Sequence, residues 1–234
     1  MPKVQLIMVR VRRLALLILL IPASAAAGPE LGLAFKGGPN AATLSEKYRV
    51  HRYGFSGGLA THLRWPLADR TSLAAQTELL YTTRGSEIIS EGYYQGRSRE
   101  TYLDLMVAAR PEVKLGRASL YALLGGGLCF LLNANKENSF GTKEDITEGL
   151  RQLDLALLVG AGIALHLPRR GLGPFRLDTI LLEVRHDRGL TDTDPVVGGY
   201  KNRSSSLMLG LSFVLTSGTV AAPRAAPPPA GAVK

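Results

Sequence analysis

From Leu31 to Leu215 the chain alternates apolar and polar residues in successive runs, and the gaps between runs alternate long and short. Period two places successive side chains on opposite faces of an extended strand. Eight strands are predicted, over about 31–44, 53–65, 71–84, 100–114, 119–132, 152–166, 176–188 and 204–216. The connections 66–70, 115–118 and 167–175 are brief and turn-rich. Those at 45–52, 85–99, 133–151 and 189–203 are mostly longer and polar. Short turns at one rim and longer loops at the other are the pattern of an all-β, eight-stranded, antiparallel up-and-down transmembrane barrel.

The alternation also separates two faces. Leu103, Leu105, Val107 and Ala109 oppose Asp104, Met106, Ala108 and Arg110. Leu153, Leu155, Leu157, Val159, Ala161 and Ile163 oppose Gln152, Asp154, Gly160, Gly162 and His166. Ile180, Leu182 and Val184 oppose Glu183, Arg185 and Asp187, and Leu207, Leu209, Leu211 and Phe213 oppose Ser206, Met208, Gly210 and Ser212. The fifth strand, apolar on both faces from Tyr121 to Leu132, leaves its orientation open. An Arg or Lys facing lipid at mid-membrane costs about 2–4 kcal/mol. Lys36, Glu78, Asp104, Arg110, Asp154, Glu183 and Arg185 are therefore expected in the lumen, where they can neutralise one another. Trp65, Tyr81, Phe175 and Phe213 suit the interfacial girdle, a sparse one because aromatics make up 6% of the chain. The opposing reading, a soluble exported barrel with a dry apolar interior, calls for a denser charge pattern on the strands.

The ends add a compartment. Basic residues Lys3, Arg10, Arg12 and Arg13 precede an apolar stretch from Leu14 to Ile21 and the small residues 23–27. This is the layout of a Sec signal peptide, residues 1–27, too short in its apolar core to span a bilayer as a helix. Residues 28–216 form the barrel domain, and residues 217–234, rich in Ala and Pro without periodicity, are expected to be a disordered tail. The formal net charge of +9 falls to +5 without the four basic leader residues. A modest excess suits anionic lipid and, with no basic cluster interleaved with aromatics, does not call for nucleic acid. The single cysteine, Cys129, excludes an internal disulfide, and no Cys/His spacing suggests a metal or other cofactor. Closed strand pairing is left to hold the fold.

Leu33–Leu44 (LAFKGGPNAATL) resembles the opening strand of the PorT-like, porin-family outer-membrane β-barrel proteins of Gram-negative bacteria. Gly54–Leu59, the run TELLYTTRG at 77–85, Tyr102–Leu105, Gly125–Gly127, Val159–Gly162, Val184–Leu190 and Lys201–Arg203 follow in that family's order, over about 31–215. The resemblance implies an eight-stranded barrel in the bacterial outer membrane. Arg185-His186 replaces the family's arginine-tyrosine pair, and the Pro-rich tail displaces the terminal aromatic that barrel assembly reads.

The expected role is structural or interaction-related, with the lumen largely plugged by side chains, since eight strands leave a bore just wide enough for them. The alternative is a narrow porin for small solutes. A third reading, a lipid-modifying hydrolase, rests on His186 beside Ser205, but that pair faces lipid and Asp187 points the other way. A nucleophile needs a base and a group orienting that base, so no enzyme is expected. The expected partners are outer-membrane lipids, periplasmic chaperones and the barrel-assembly machinery, and the expected state is a monomer.

Overall fold

The computed structural model describes residues 30–44, 49–90, 93–172, 175–192 and 201–215. The expected signal peptide and Pro-rich tail lie outside these residues, as does most of the last long loop. Eight long strands form the wall: β1 (Glu30–Leu44), β2 (Arg49–Ala68), β3 (Thr71–Ser90), β4 (Tyr93–Leu115), β5 (Ala118–Asn138), β7 (Leu153–Leu172), β8 (Phe175–Gly189) and β9 (Asn202–Leu215). A three-residue strand, β6 (Lys143–Asp145), pairs with the end of β5 beyond the wall. Every long strand is antiparallel to its neighbours in the chain. β1 also pairs with β9, so the wall of eight long strands closes on itself.

Side-chain parity follows the sequence pattern. Val107, Leu124, Val159, Val184 and Leu209 are each more than half exposed on the outer face, whereas Met106, Leu123, Leu158 and Met208 are fully buried. Strand β5, ambiguous by pattern, turns Tyr121, Leu123, Cys129 and Leu131 inward and Leu120, Leu124 and Leu132 outward. The interior is therefore not uniformly polar. An apolar cluster containing Met106, Leu123, Cys129, Leu158 and Leu181 shares it with buried charges. Trp65 and Tyr81 are exposed on the outside, and Phe213 packs edge-on against Phe35 with centroids 6.1 Å apart. Tyr53 and Phe55, at the long-loop side of β2, are also exposed, at 84% and 53%.

The strands run further toward the long-loop rim than their apolar segments predict. The expected polar loop 85–99 is strand over its described residues 85–90 and 93–99: β3 and β4 continue as a ladder from Arg84–Glu100 to Ser90–Tyr93. Alternation of hydrophobicity fails there because this part of the wall needs no lipid-facing side. Cross-strand polar pairs sustain it instead, with Glu87 opposite Arg97 and the Ser86 and Ser98 hydroxyls 3.3 Å apart. β5 likewise extends to Asn138, followed by β6 and a single 3-10 turn, Thr147–Gly149. At that turn the Thr147 hydroxyl and backbone N–H donate to Asp145, which holds the exposed carboxyl below its ordinary pKa. At the opposite rim, Gly116 adopts φ +66° in the two-residue β4–β5 turn, a conformation that disfavours any residue with a Cβ.

Candidate functional site: a charge network in the barrel interior

Four of the seven charged residues expected in the lumen meet in one cluster. Lys36 on β1 donates to both Glu78 on β3 and Glu183 on β8, with Nζ 2.9 Å from Glu183 Oε2. Arg185, two residues from Glu183 on the same inward face, donates to Glu78 and, at 2.8 Å, to Asp187. Glu78 on β3 thus bridges a lysine from β1, two strands away, and an arginine from β8, on the opposite side of the ring. The side chains of Lys36, Glu78, Glu183 and Arg185 are each no more than 1% exposed.

Further groups complete the network. Gln76 Nε2 donates to Glu78 at 2.6 Å, and its Oε1 accepts from Arg110 at 3.2 Å. Arg110 also lies over the Tyr121 ring, 3.9 Å from its centroid, and the Tyr121 hydroxyl donates to Glu183 at 3.1 Å. Two glycines leave room for this. A Cβ at Gly162 would collide with the Tyr121 ring, and one at Gly210 would press on Lys36 Cγ at 3.0 Å.

Asp104 and Asp154 are buried inside the wall too, but they stand apart from the cluster. Asp104 pairs with Arg84 at 2.6 Å, and the Arg84 guanidinium covers the Tyr102 ring, 4.9 Å from its centroid. Tyr102 donates to Glu100 and accepts from Asn202, each at 2.9 Å. Asp154 accepts from the backbone N–H and hydroxyl of Thr191, at the long-loop end. The separation has a geometric cause. Lys36, Gly58, Leu80, Asp104, Cys129 and Asp154 lie on one continuous row of strand partners. Strands in such a wall tilt by roughly 35–45°, so a row perpendicular to them climbs as it passes around the barrel. Sequence parity gives the face of each residue; the tilt decides its height.

A second polar group occupies the short-turn mouth, around a cavity of about 340 Å³ lined by Arg64, Glu112, Lys114, Ser119, His166 and Asp178 among others. Its contacts are looser. Arg64 and Arg110 stand 3.7 and 3.5 Å from Glu112, and His166 stands 3.8 Å from Glu112 and 3.9 Å from Asp178. Ser119 Oγ lies 2.6 Å from His166 Nε2. A serine, a histidine and a carboxylate are thus in sequence, but the His166–Asp178 separation exceeds hydrogen-bond reach. Ser119 itself is 1% exposed. On the outer wall His186 Nδ1 lies 3.0 Å from Ser205 Oγ, while Asp187 faces inward on Arg185. Among the described residues, no group of three or more His, Cys, Asp or Glu is placed to hold a metal ion.

Arg84, Gln76 and Tyr121 were not evident as site residues from the pattern. Arg84 lies where the apolar alternation of β3 ends, and Gln76 and Tyr121 carry no charge. The inward parity they share with Glu78 and Leu123 is the signal that marks them.

Several solved barrels resemble this one in fold. Neisserial surface protein A (NspA) is 14% identical, with a TM-score of 0.45, covering 81% of this chain and 98% of that one. Ail, the attachment invasion locus protein of Yersinia pestis, is 17% identical, with a TM-score of 0.39 and coverages of 79% and 99%. The outer membrane enzyme PagL is 12% identical, with a TM-score of 0.35 and coverages of 78% and 97%. No curated protein matches the sequence. The model of one family, described as "Outer membrane protein beta-barrel domain", matches residues 25–194. A ring of eight antiparallel strands with lipid-facing leucines and valines is what such a domain requires, and the chain belongs to this family of bacterial outer-membrane β-barrels.

Proposed function

We propose that this barrel is a PorT-like, non-enzymatic outer-membrane protein whose lumen is sealed, with a structural or interaction role rather than a transport one. The observation that carries the reading is the burial of the Lys36–Glu78–Glu183–Arg185 cluster. Charges lining a water-filled pore are hydrated; these are bonded to one another across the bore, from β1, β3 and β8. Tyr121, Arg110 and Gln76 thicken the same level. Moving a solute through it requires breaking several charge-assisted hydrogen bonds, which are roughly twice as strong as neutral ones. Outer-membrane lipid surrounds a monomer in this reading, delivered by periplasmic chaperones and the barrel-assembly machinery.

Planar-bilayer recording of the refolded protein tests the seal. The expected record is a flat baseline. Reproducible single-channel steps establish a narrow porin and remove the sealed-lumen reading.

A further inference from the structure

The outer wall carries a feature that neither the lumen nor its seal explains. On β8 and β9, outward residues pair as Val184 with Leu207, then His186 with Ser205, then Arg188 with Arg203. Two arginines directly opposite each other on one face of a sheet repel, and the pairing is unfavourable unless something neutralises them. Among the described residues nothing does. Neither Arg188 nor Arg203 forms an ion pair with a carboxylate there, and the adjacent Asp187 is turned inward on Arg185. The two arginines border a shallow depression of about 320 Å³, lined also by Thr43, His51, His186 and Ser205. That lining holds cations, hydroxyls and imidazoles but no carboxylate.

Its height on the wall identifies the occupant. Val184 and Leu207 are about half exposed and belong to the lipid-facing band. Arg188 and Arg203 lie four residues further along their strands, about 13 Å at 3.3–3.4 Å per residue. The exposed aromatics Tyr53 and Phe55 flank the same region on β2, opposite Ala41 and Pro39 of β1. Cations just beyond an aromatic and aliphatic band sit at head-group depth. The rim is that of the long loops, which in outer-membrane barrels faces outward from the cell.

We propose that this depression binds the phosphorylated head group of an outer-leaflet lipid. The arginine pair grips the phosphate oxygens through forked N–H donors, a geometry suited to that group. Ser205 and the two histidines supply shorter-range donors, and acyl chains descend over Val184, Leu207 and Phe55. The lipid phosphate removes the repulsion between the arginines, so lipid binding and barrel stability are linked.

The test uses the refolded full chain in zwitterionic detergent, titrated with diphosphoryl lipid A and, separately, with inorganic phosphate. The readout is the heat-unfolding midpoint of the barrel on semi-native gels. Lipid A is expected to raise the midpoint saturably, and Arg188→Ser/Arg203→Ser to raise the half-saturating lipid concentration by about tenfold or more, the scale of losing a charged hydrogen bond. Arg188→Lys/Arg203→Lys is expected to fall between the two. Equal half-saturation in wild type and the serine variant, or no stabilisation of wild type, overturns the proposal. Inorganic phosphate matching lipid A at equal concentration assigns the site to free anions and overturns the lipid occupant. If the double serine variant does not refold, Arg203→Gln alone is read by the same criteria.

Discussion

The middle of the barrel and its short-turn mouth use the same residue types to different effect. At mid-wall, Lys36, Glu78, Glu183 and Arg185 are at most 1% exposed, and Glu183 and Asp187 lie 2.9 and 2.8 Å from their cationic partners. At the mouth, Arg64 and His166 side chains are 16% and 19% exposed, and their distances to the nearest carboxylates lengthen to 3.5–3.9 Å around an open cavity. Desolvated charges depend on one another: removing one strands its partners in a low-dielectric interior. Partly hydrated charges have water to replace a lost partner and contribute little. Proximity of opposite charges is thus a poor guide to their energetic weight, and burial at the level of the individual side chain is the better one.

The largest expected effect is at Glu78, the carboxylate to which both Lys36 and Arg185 donate hydrogen bonds. Glu78→Ala leaves both cations short of a partner and is expected to destabilise the barrel by about 3–5 kcal/mol. Urea unfolding of protein refolded into vesicles, followed through the fluorescence of the single tryptophan, Trp65, measures it. The double variant Glu78→Ala/Arg185→Ala is expected to lose less than the sum of its parts, since each substitution removes a charge the other has stranded. Strict additivity would show that these residues do not act as a unit.

Arg84→Ala comes next. It removes the cation from Asp104 and uncovers the Tyr102 ring, but it disturbs a single ion pair rather than a branched network. A loss near the lower end of the same range, about 3 kcal/mol, is expected in the same titration. A loss equal to that of Glu78→Ala would mean that branching adds nothing.

How far the sequence reveals these differences depends on what period two can encode. It places Asp104 and Glu183 on the inward face and Leu105 and Leu182 on the outward one, and with the turn spacing it gives eight strands and closure. It cannot give height, because strand tilt sends the row that starts at Lys36 up to Asp154 at the loop rim. It also ends too early: Arg84 to Ser90 and Tyr93 to Arg99 carry no apolar alternation, yet they pair as strand. On β5, Tyr121 and Leu120 are both greasy, so parity there emerges only from the register against β4 and β7. The Arg188–Arg203 pairing is legible only once that kind of register is known.

The mouth supplies the smaller effects. Arg64→Gln removes a partly hydrated cation that stands 3.5 Å from Glu30 and 3.7 Å from Glu112, and Glu112 keeps Arg110 beside it. Less than about 1 kcal/mol is expected, shrinking as salt is added, because these separations admit screening. A loss comparable to that of Glu78→Ala would erase the distinction between the two regions.

Ser119 sharpens the same contrast from the side of chemistry. Its hydroxyl lies 2.6 Å from His166 Nε2, closer than many pairs in the mid-wall network. Closeness alone does not make a nucleophile, which also needs an oriented base and a path to substrate. Asp178 stands 3.9 Å from the far nitrogen of His166 and is instead bonded by the Thr179 hydroxyl at 2.8 Å. Ser119, at 1% exposure, presents almost no surface to the adjoining cavity. Refolded protein is therefore expected to show no Ser119-dependent labelling by a fluorophosphonate probe, and Ser119→Ala to shift stability by about 1 kcal/mol or less. Labelling that disappears in both Ser119→Ala and His166→Ala would show that the mouth opens enough to form a working catalytic site. The looser packing that separates it from the mid-wall would then have a chemical use.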